Sequence, residues 1–173
     1  MDERTFWDII ARFDWEKTGD DDAVLEPACE ALALLDEESI SKFDDILSEK
    51  LHALDTREHC RACYAGELDP DDGDDYISAD DFLYARCVVV ANGREFYASV
   101  LADPTKFPQG LEFEALLSIP NTAYERKTGE SYEHISPVSY ESFQNFVGWK
   151  PTAATRPGKY TGENIPPLIR RRT

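Results

Sequence analysis

Residues 78–101 run Ser78-Ala79-Asp80-Asp81-Phe82-Leu83-Tyr84-Ala85-Arg86-Cys87-Val88-Val89-Val90-Ala91-Asn92-Gly93-Arg94-Glu95-Phe96-Tyr97-Ala98-Ser99-Val100-Leu101, and they admit two readings. The first is a pair of helices. Ser78 followed three residues later by Asp81 is a capping box, Phe82, Ala85, Val89 and Phe96 recur at helical spacing, and Gly93 ends one helix before another starts at Arg94. The second is a hairpin. Cys87-Val88-Val89-Val90 is β-branched, and Asn92-Gly93 is a strong two-residue turn signal. The capping box and the spacing favour the helices.

Upstream the pattern is helical throughout. Asp2 is placed to cap a helix over 3–13, with Phe6, Trp7, Ile10 and Phe13 on its buried face. Asp20-Asp21-Asp22 precedes a second helix over 23–35, where negative charge is favourable at the N-terminus. Pro27 is tolerated only in a first turn, which places that helix's start near Glu26 or bends it. Asp36 opens a third, over 37–54, with Ile40, Phe43, Ile46, Leu47, Leu51 and Leu54 on one stripe. A short fourth is expected over 56–64. Downstream, Asp103-Pro104 is a stop. Residues 111–117 read as a helix interrupted near Pro120, resuming over 121–127 and ending at Gly129. Residues 131–149 are aromatic but aperiodic, and the prolines from Pro151 onward forbid a helix or a central strand. The expected organisation is a mainly α, single-domain bundle of about six helices. Its acidic core spans 1–130, and an irregular aromatic segment with a basic, Pro-rich tail spans 131–173.

Charge is distributed unevenly. The 173 residues carry 35 acids and 18 bases, net −17. Residues 1–81 hold 26 acids against 7 bases, whereas 82–173 hold 9 against 11. The densest stretch is 66–81, with eight carboxylates and no base in sixteen residues. A field of that sign repels nucleic-acid phosphate and anionic lipid and attracts basic proteins. No run approaches the ~20 apolar residues of a membrane span, and Met1-Asp2-Glu3-Arg4 lacks the basic and apolar regions of a signal peptide. The expectation is a cytoplasmic protein without a membrane or nucleic-acid partner.

Chemistry-bearing motifs are sparse. The acidic run fails the EF-hand pattern: with Gly73 at position six, Leu68, Pro70 and Ala79 fall on ligand positions. His52, His59, Cys60 and Cys63 form only half of a zinc site, and Cys60-x-x-Cys63 lacks the βαβ context of a redox pair. Cys29 and Cys87 lie in apolar surroundings, where cysteine packs as a small hydrophobe. There is no nucleophile elbow, phosphate loop or dinucleotide fingerprint, so no catalytic residue, metal or cofactor is assigned. Arg86 is the conspicuous charge. Placed among apolar residues, it must pair with a carboxylate from another helix or line an anion-binding pocket.

Two blocks resemble a bacterial family of uncharacterised proteins, domain of unknown function 4240. They are Phe6-Trp7-Asp8-Ile9-Ile10 and Ser78–Arg86 with Val88-Val89-Val90, Gly93-Arg94 and Leu101-Ala102-Asp103-Pro104. The resemblance covers roughly 1–128 and departs from the family pattern at Ala85, Val88 and Asn92, where Phe, Trp and Gln are usual. It implies a mainly helical fold and carries no activity.

Two functions are compatible with these residues. One is a non-enzymatic acidic domain, of the immunity or antitoxin kind, that binds a basic protein through Asp69, Asp71, Asp72, Asp74 and Asp75. The alternative is an enzyme or small-molecule sensor in which Arg86 reads an anionic ligand and Asp80, Tyr84 and Tyr97 shape the pocket.

Overall fold

Five helices begin on a side chain that accepts a backbone N–H of their own first turn. Asp2 accepts from Thr5 at 2.8 Å, Asp20 from Ala23 at 3.1 Å, Asp36 from Ser39 at 2.8 Å, Thr56 from His59 at 3.3 Å and Ser78 from Asp81 at 3.0 Å. Each contact satisfies a donor that the helix cannot satisfy internally. The helices they open are α1 (Glu3–Ile10), α2 (Asp21–Ala33), α3 (Glu37–Ala53), α4 (Arg57–Cys63) and α5 (Ala79–Ala91). Two more follow, α6 (Arg94–Ala102) and α7 (Ile119–Thr128). The computed structural model describes residues 1–64 and 77–150. The protein is mainly helical and single-domain, with seven α-helices and no strand among the described residues.

The disputed segment is helical. Ser78 caps it, and Gly93, at φ 88°, makes the break between α5 and α6 that only glycine adopts without strain. α5 is the centre of the bundle. Phe82, Leu83 and every residue from Ala85 to Ala91 are buried. A helix enclosed on all sides has no polar face, which is why its sequence carries weak periodicity and competes with a strand reading. Around it, α3 packs on α5 and α7, α2 lies along α7, and α6 folds back on α5. Phe6, Phe43, Leu47, Leu51, Phe82, Val89, Leu116 and Ile119 fill the space between them.

Several boundaries differ from expectation. α1 ends at Ile10, and Trp15–Lys17 form a separate short turn. α2 begins at Asp21 and runs through Pro27, in its second turn. Proline there removes one helical hydrogen bond and displaces nearby carbonyls. The Val24 carbonyl accepts an outside donor, the Asp14 N–H at 3.0 Å. Val24, Leu25, Ala28, Cys29 and Leu32 are all buried, so packing outweighs the proline penalty. Pro120 does not interrupt the seventh helix. It sits in its first turn, directly after a 3-10 turn over Glu114–Ser118, and Gly129 at φ 77° closes the far end.

Residues 131–150 carry no helix or strand, yet they follow α3 from its middle to its end. Tyr132 bonds Asp44, His134 bonds Asp45, the Ser139 carbonyl accepts from His52 Nδ1, and Asn145 bonds the His52 carbonyl. The acidic run Asp69–Asp75 and the basic tail lie outside the described residues.

Candidate functional site

The last carbonyls of α3 set the local problem, because a helix C-terminus leaves them without internal partners. Here side chains from three other elements supply the donors. Tyr97 OH reaches the Lys50 carbonyl at 3.2 Å, Arg86 Nη1 the Leu51 carbonyl at 2.8 Å, and Asn145 Nδ2 the His52 carbonyl at 3.0 Å. Arg86 is fully buried. Its Nε donates to the Phe82 carbonyl at 3.3 Å and its Nη2 to Ser142 Oγ at 2.7 Å, while its guanidinium carbon lies 4.7 Å from the Phe82 ring centre. The Ser142 hydroxyl in turn donates to the Ala79 carbonyl at 2.6 Å. A cation at a helix C-terminus is favourable for the macrodipole.

The expected ion pair takes another form. No carboxylate lies within ion-pair distance of Arg86 among the described residues. Burial pulls the guanidinium below its ordinary range, and the field of Asp55 is the largest influence in the other direction. Asp55 is itself fully buried just past the end of α3. It accepts four N–H donors: Phe143 N and Trp149 Nε1 on Oδ1, both at 2.9 Å, and Gln144 N at 2.7 Å and Asn145 N at 2.8 Å on Oδ2. Three consecutive amides converge on one carboxylate because Phe143 takes a left-handed conformation, φ 68°. The two charges therefore communicate through the segment between them, Ser142 on the arginine and residues 143–145 on the aspartate. Gly148 completes the attachment. A Cβ there would stand 2.7 Å from Thr56 Cγ2 and 3.0 Å from the Asp55 carbonyl oxygen.

The four residues expected to shape an anion pocket do not share a concavity. Asp80 is exposed in the first turn of α5. Tyr84 donates to Glu114 at 3.0 Å, and that bond holds its phenol up at about 12. Tyr97 is buried against Trp7, with ring centres 5.4 Å apart, and burial raises it further. Arg86 faces protein on every side. The half zinc site is also dispersed: His59 Nε2 donates to the Val100 carbonyl at 3.1 Å, its Nδ1 accepts from Thr56 Oγ1 at 2.7 Å, and Cys63 Sγ points to the Cys60 carbonyl.

A concavity lies elsewhere, where residues 132–141 span the gap between α3 and the start of α7. It has a volume of about 510 Å³ and is lined by Asp44 and Ser48 of α3, by Leu117, Pro120 and Asn121, and by the crossing segment. Ser48 is fully buried, and its hydroxyl has no hydrogen-bond partner among the described residues; the Ser136 hydroxyl, on the crossing segment, has none either. Burial raises the Asp44 carboxyl above its ordinary range against the opposing bond from Tyr132 OH at 3.2 Å. His134 is turned away to Asp45, at 2.8 Å. Sequence reasoning did not single out Asp44, Ser48 or Asp55. One acid among 35 has no spacing signal, and Ser48 reads as an ordinary helix residue.

Residues 1–126 match the family model described as protein of unknown function (DUF4240). No curated protein and no solved structure matches the chain.

Proposed function

The chain belongs to the DUF4240 family, and from that premise we propose that it is a binding module for a basic protein partner rather than an enzyme. The observation that carries this reading is the state of its carboxylates. Asp8, Glu16, Asp21, Asp22, Glu30, Glu38 and Glu49 are exposed, and none has an ion-pair partner among the described residues. Ion pairs among the described residues include Lys50–Glu3, Lys42–Asp45, Arg126–Glu26 and His134–Asp45. A hollow of about 730 Å³ lined by Asp20, Asp21, Asp22 and Glu114 extends the negative surface. By sequence, Asp69, Asp71, Asp72, Asp74 and Asp75 add five more acids. Such a field accelerates encounter with a positive surface and discriminates against negative ones. The narrower form of the proposal is an immunity- or antitoxin-type protein that covers a basic toxin. No observation favours an anionic ligand at Arg86, which is fully buried and donates from each of its three nitrogens to protein oxygens.

Affinity capture from the native cell tests the reading. The wild-type chain is expected to retain a basic protein that rebinds as a purified component. A variant with Asp21→Asn, Asp22→Asn, Glu30→Gln, Glu38→Gln and Glu49→Gln is expected to lose it. Equal retention by that variant would refute the electrostatic basis.

A further inference from the structure

We infer that the recess between α3, the start of α7 and residues 132–141 takes a guanidinium or ammonium group carried on a short apolar stem. The inference rests on the reading above only where it names a partner's side chain as the source; the chemistry of the recess stands by itself.

Three features select that chemistry. The recess is lined by two carboxylates, Asp44 and Glu141, and by no lysine or arginine. Its one base, His134, is committed to Asp45. An anion entering it would meet two negative groups, whereas a cation would be attracted by both. The second feature is the pair of unsatisfied hydroxyls. Ser48, buried on α3, and Ser136, on the crossing segment, both lack partners among the described residues. A buried hydroxyl without a partner is costly and uncommon in a folded protein. A group with several N–H donors set at angles, such as a guanidinium, can reach more than one acceptor at once. The third feature is the wall. Leu117, Pro120 and Tyr140 supply apolar surface for an aliphatic stem, and about 510 Å³ accommodates one side chain or a small molecule.

The probe is N-acetyl-arginine amide, titrated into the full chain and followed by amide-resonance NMR, with the isosteric, uncharged N-acetyl-citrulline amide as the control. Saturable shifts are expected at Asp44, Ser48, Tyr132, Ser136 and Tyr140, with affinity in the millimolar range and at least about tenfold weaker for citrulline. Asp44→Asn is expected to weaken arginine binding by about tenfold, and Ser48→Ala by severalfold. Ser48→Ala carries the discrimination. If the hydroxyl serves the fold alone, its loss leaves binding untouched; if it serves an occupant, binding falls while the melting temperature holds or rises. Equal binding of citrulline, shifts spread evenly over the acidic surface, or Ser48→Ala binding like wild type would overturn the inference. The source is read from the captured basic protein. A loss of about tenfold on Asp44→Asn assigns the occupant to that partner's side chain, and unchanged partner binding beside weakened arginine binding assigns it to a free amine or guanidine. Absence of any basic partner defeats the proposed function and leaves the titration result standing.

Discussion

Asp55 and Arg86 are opposite charges with no exposure, held apart by the segment each of them grips. Removing one member of such an arrangement leaves the other's charge and several backbone groups uncompensated. Asp55→Asn places an amide donor among four N–H groups and is expected to cost about 3–5 kcal/mol in urea unfolding; a loss below the measurement error would show that the carboxylate is dispensable. Gly148→Ala forces a Cβ to within 2.7 Å of Thr56 Cγ2 and should destabilise by about 1–3 kcal/mol. Ser48→Ala runs the other way, neutral or stabilising by about 1 kcal/mol, because it deletes an unsatisfied hydroxyl. Arg86 was legible in the sequence as a problem, since a guanidinium among Phe82, Cys87 and three valines must be compensated. The form of the compensation was not legible. Carbonyls at the end of α3, and a serine 56 residues along the chain, become neighbours only when the chain folds.

Among the elements, the helix starts were the clearest part of the sequence. Asp2, Asp36 and Ser78 signal locally, and each does cap a helix; Asp20 and Thr56 cap helices too, although the sequence placed the second start at residue 23 or later and Thr56 inside the fourth helix. Ser78→Ala is expected to lower stability by about 1 kcal/mol, readable as a shift in the urea midpoint without a change in slope. Helix continuity was harder to read. Pro27 and Pro120 both argue locally for a break, and burial of the surrounding apolar residues overrides that argument at Pro27. α4 contributes a pH response through His59. Burial lowers its pKa below the ordinary 6.5, against the bond to the Val100 carbonyl and the charge of Glu58. The unfolded chain then binds the proton more tightly than the folded one, so stability falls on acidification through about 6.5 and is fully present above it. His59→Gln, which keeps a donor for Val100, should flatten thermal stability across that window; an unaltered pH slope would assign the response to another group.

At the scale of the molecule, the chain concentrates negative charge on its first half, and among the described residues few of those carboxylates form ion pairs. Composition revealed that imbalance. Which of the described carboxylates are paired had to come from the fold, because ion pairs such as Arg126–Glu26 join residues 100 positions apart. The recess beside α3 was hidden for the same reason: its walls come from residues 44–48, 117–121 and 132–141. No described helix is long and apolar enough to cross a membrane. The central functional claim is that the exposed carboxylates guide a positive partner onto this surface. It is tested most directly by the association rate of the captured basic protein, measured by stopped flow as ionic strength rises. A fall of about tenfold or more is expected between about 50 mM and about 500 mM salt, with the dissociation rate changing much less. An association rate indifferent to salt would contradict it.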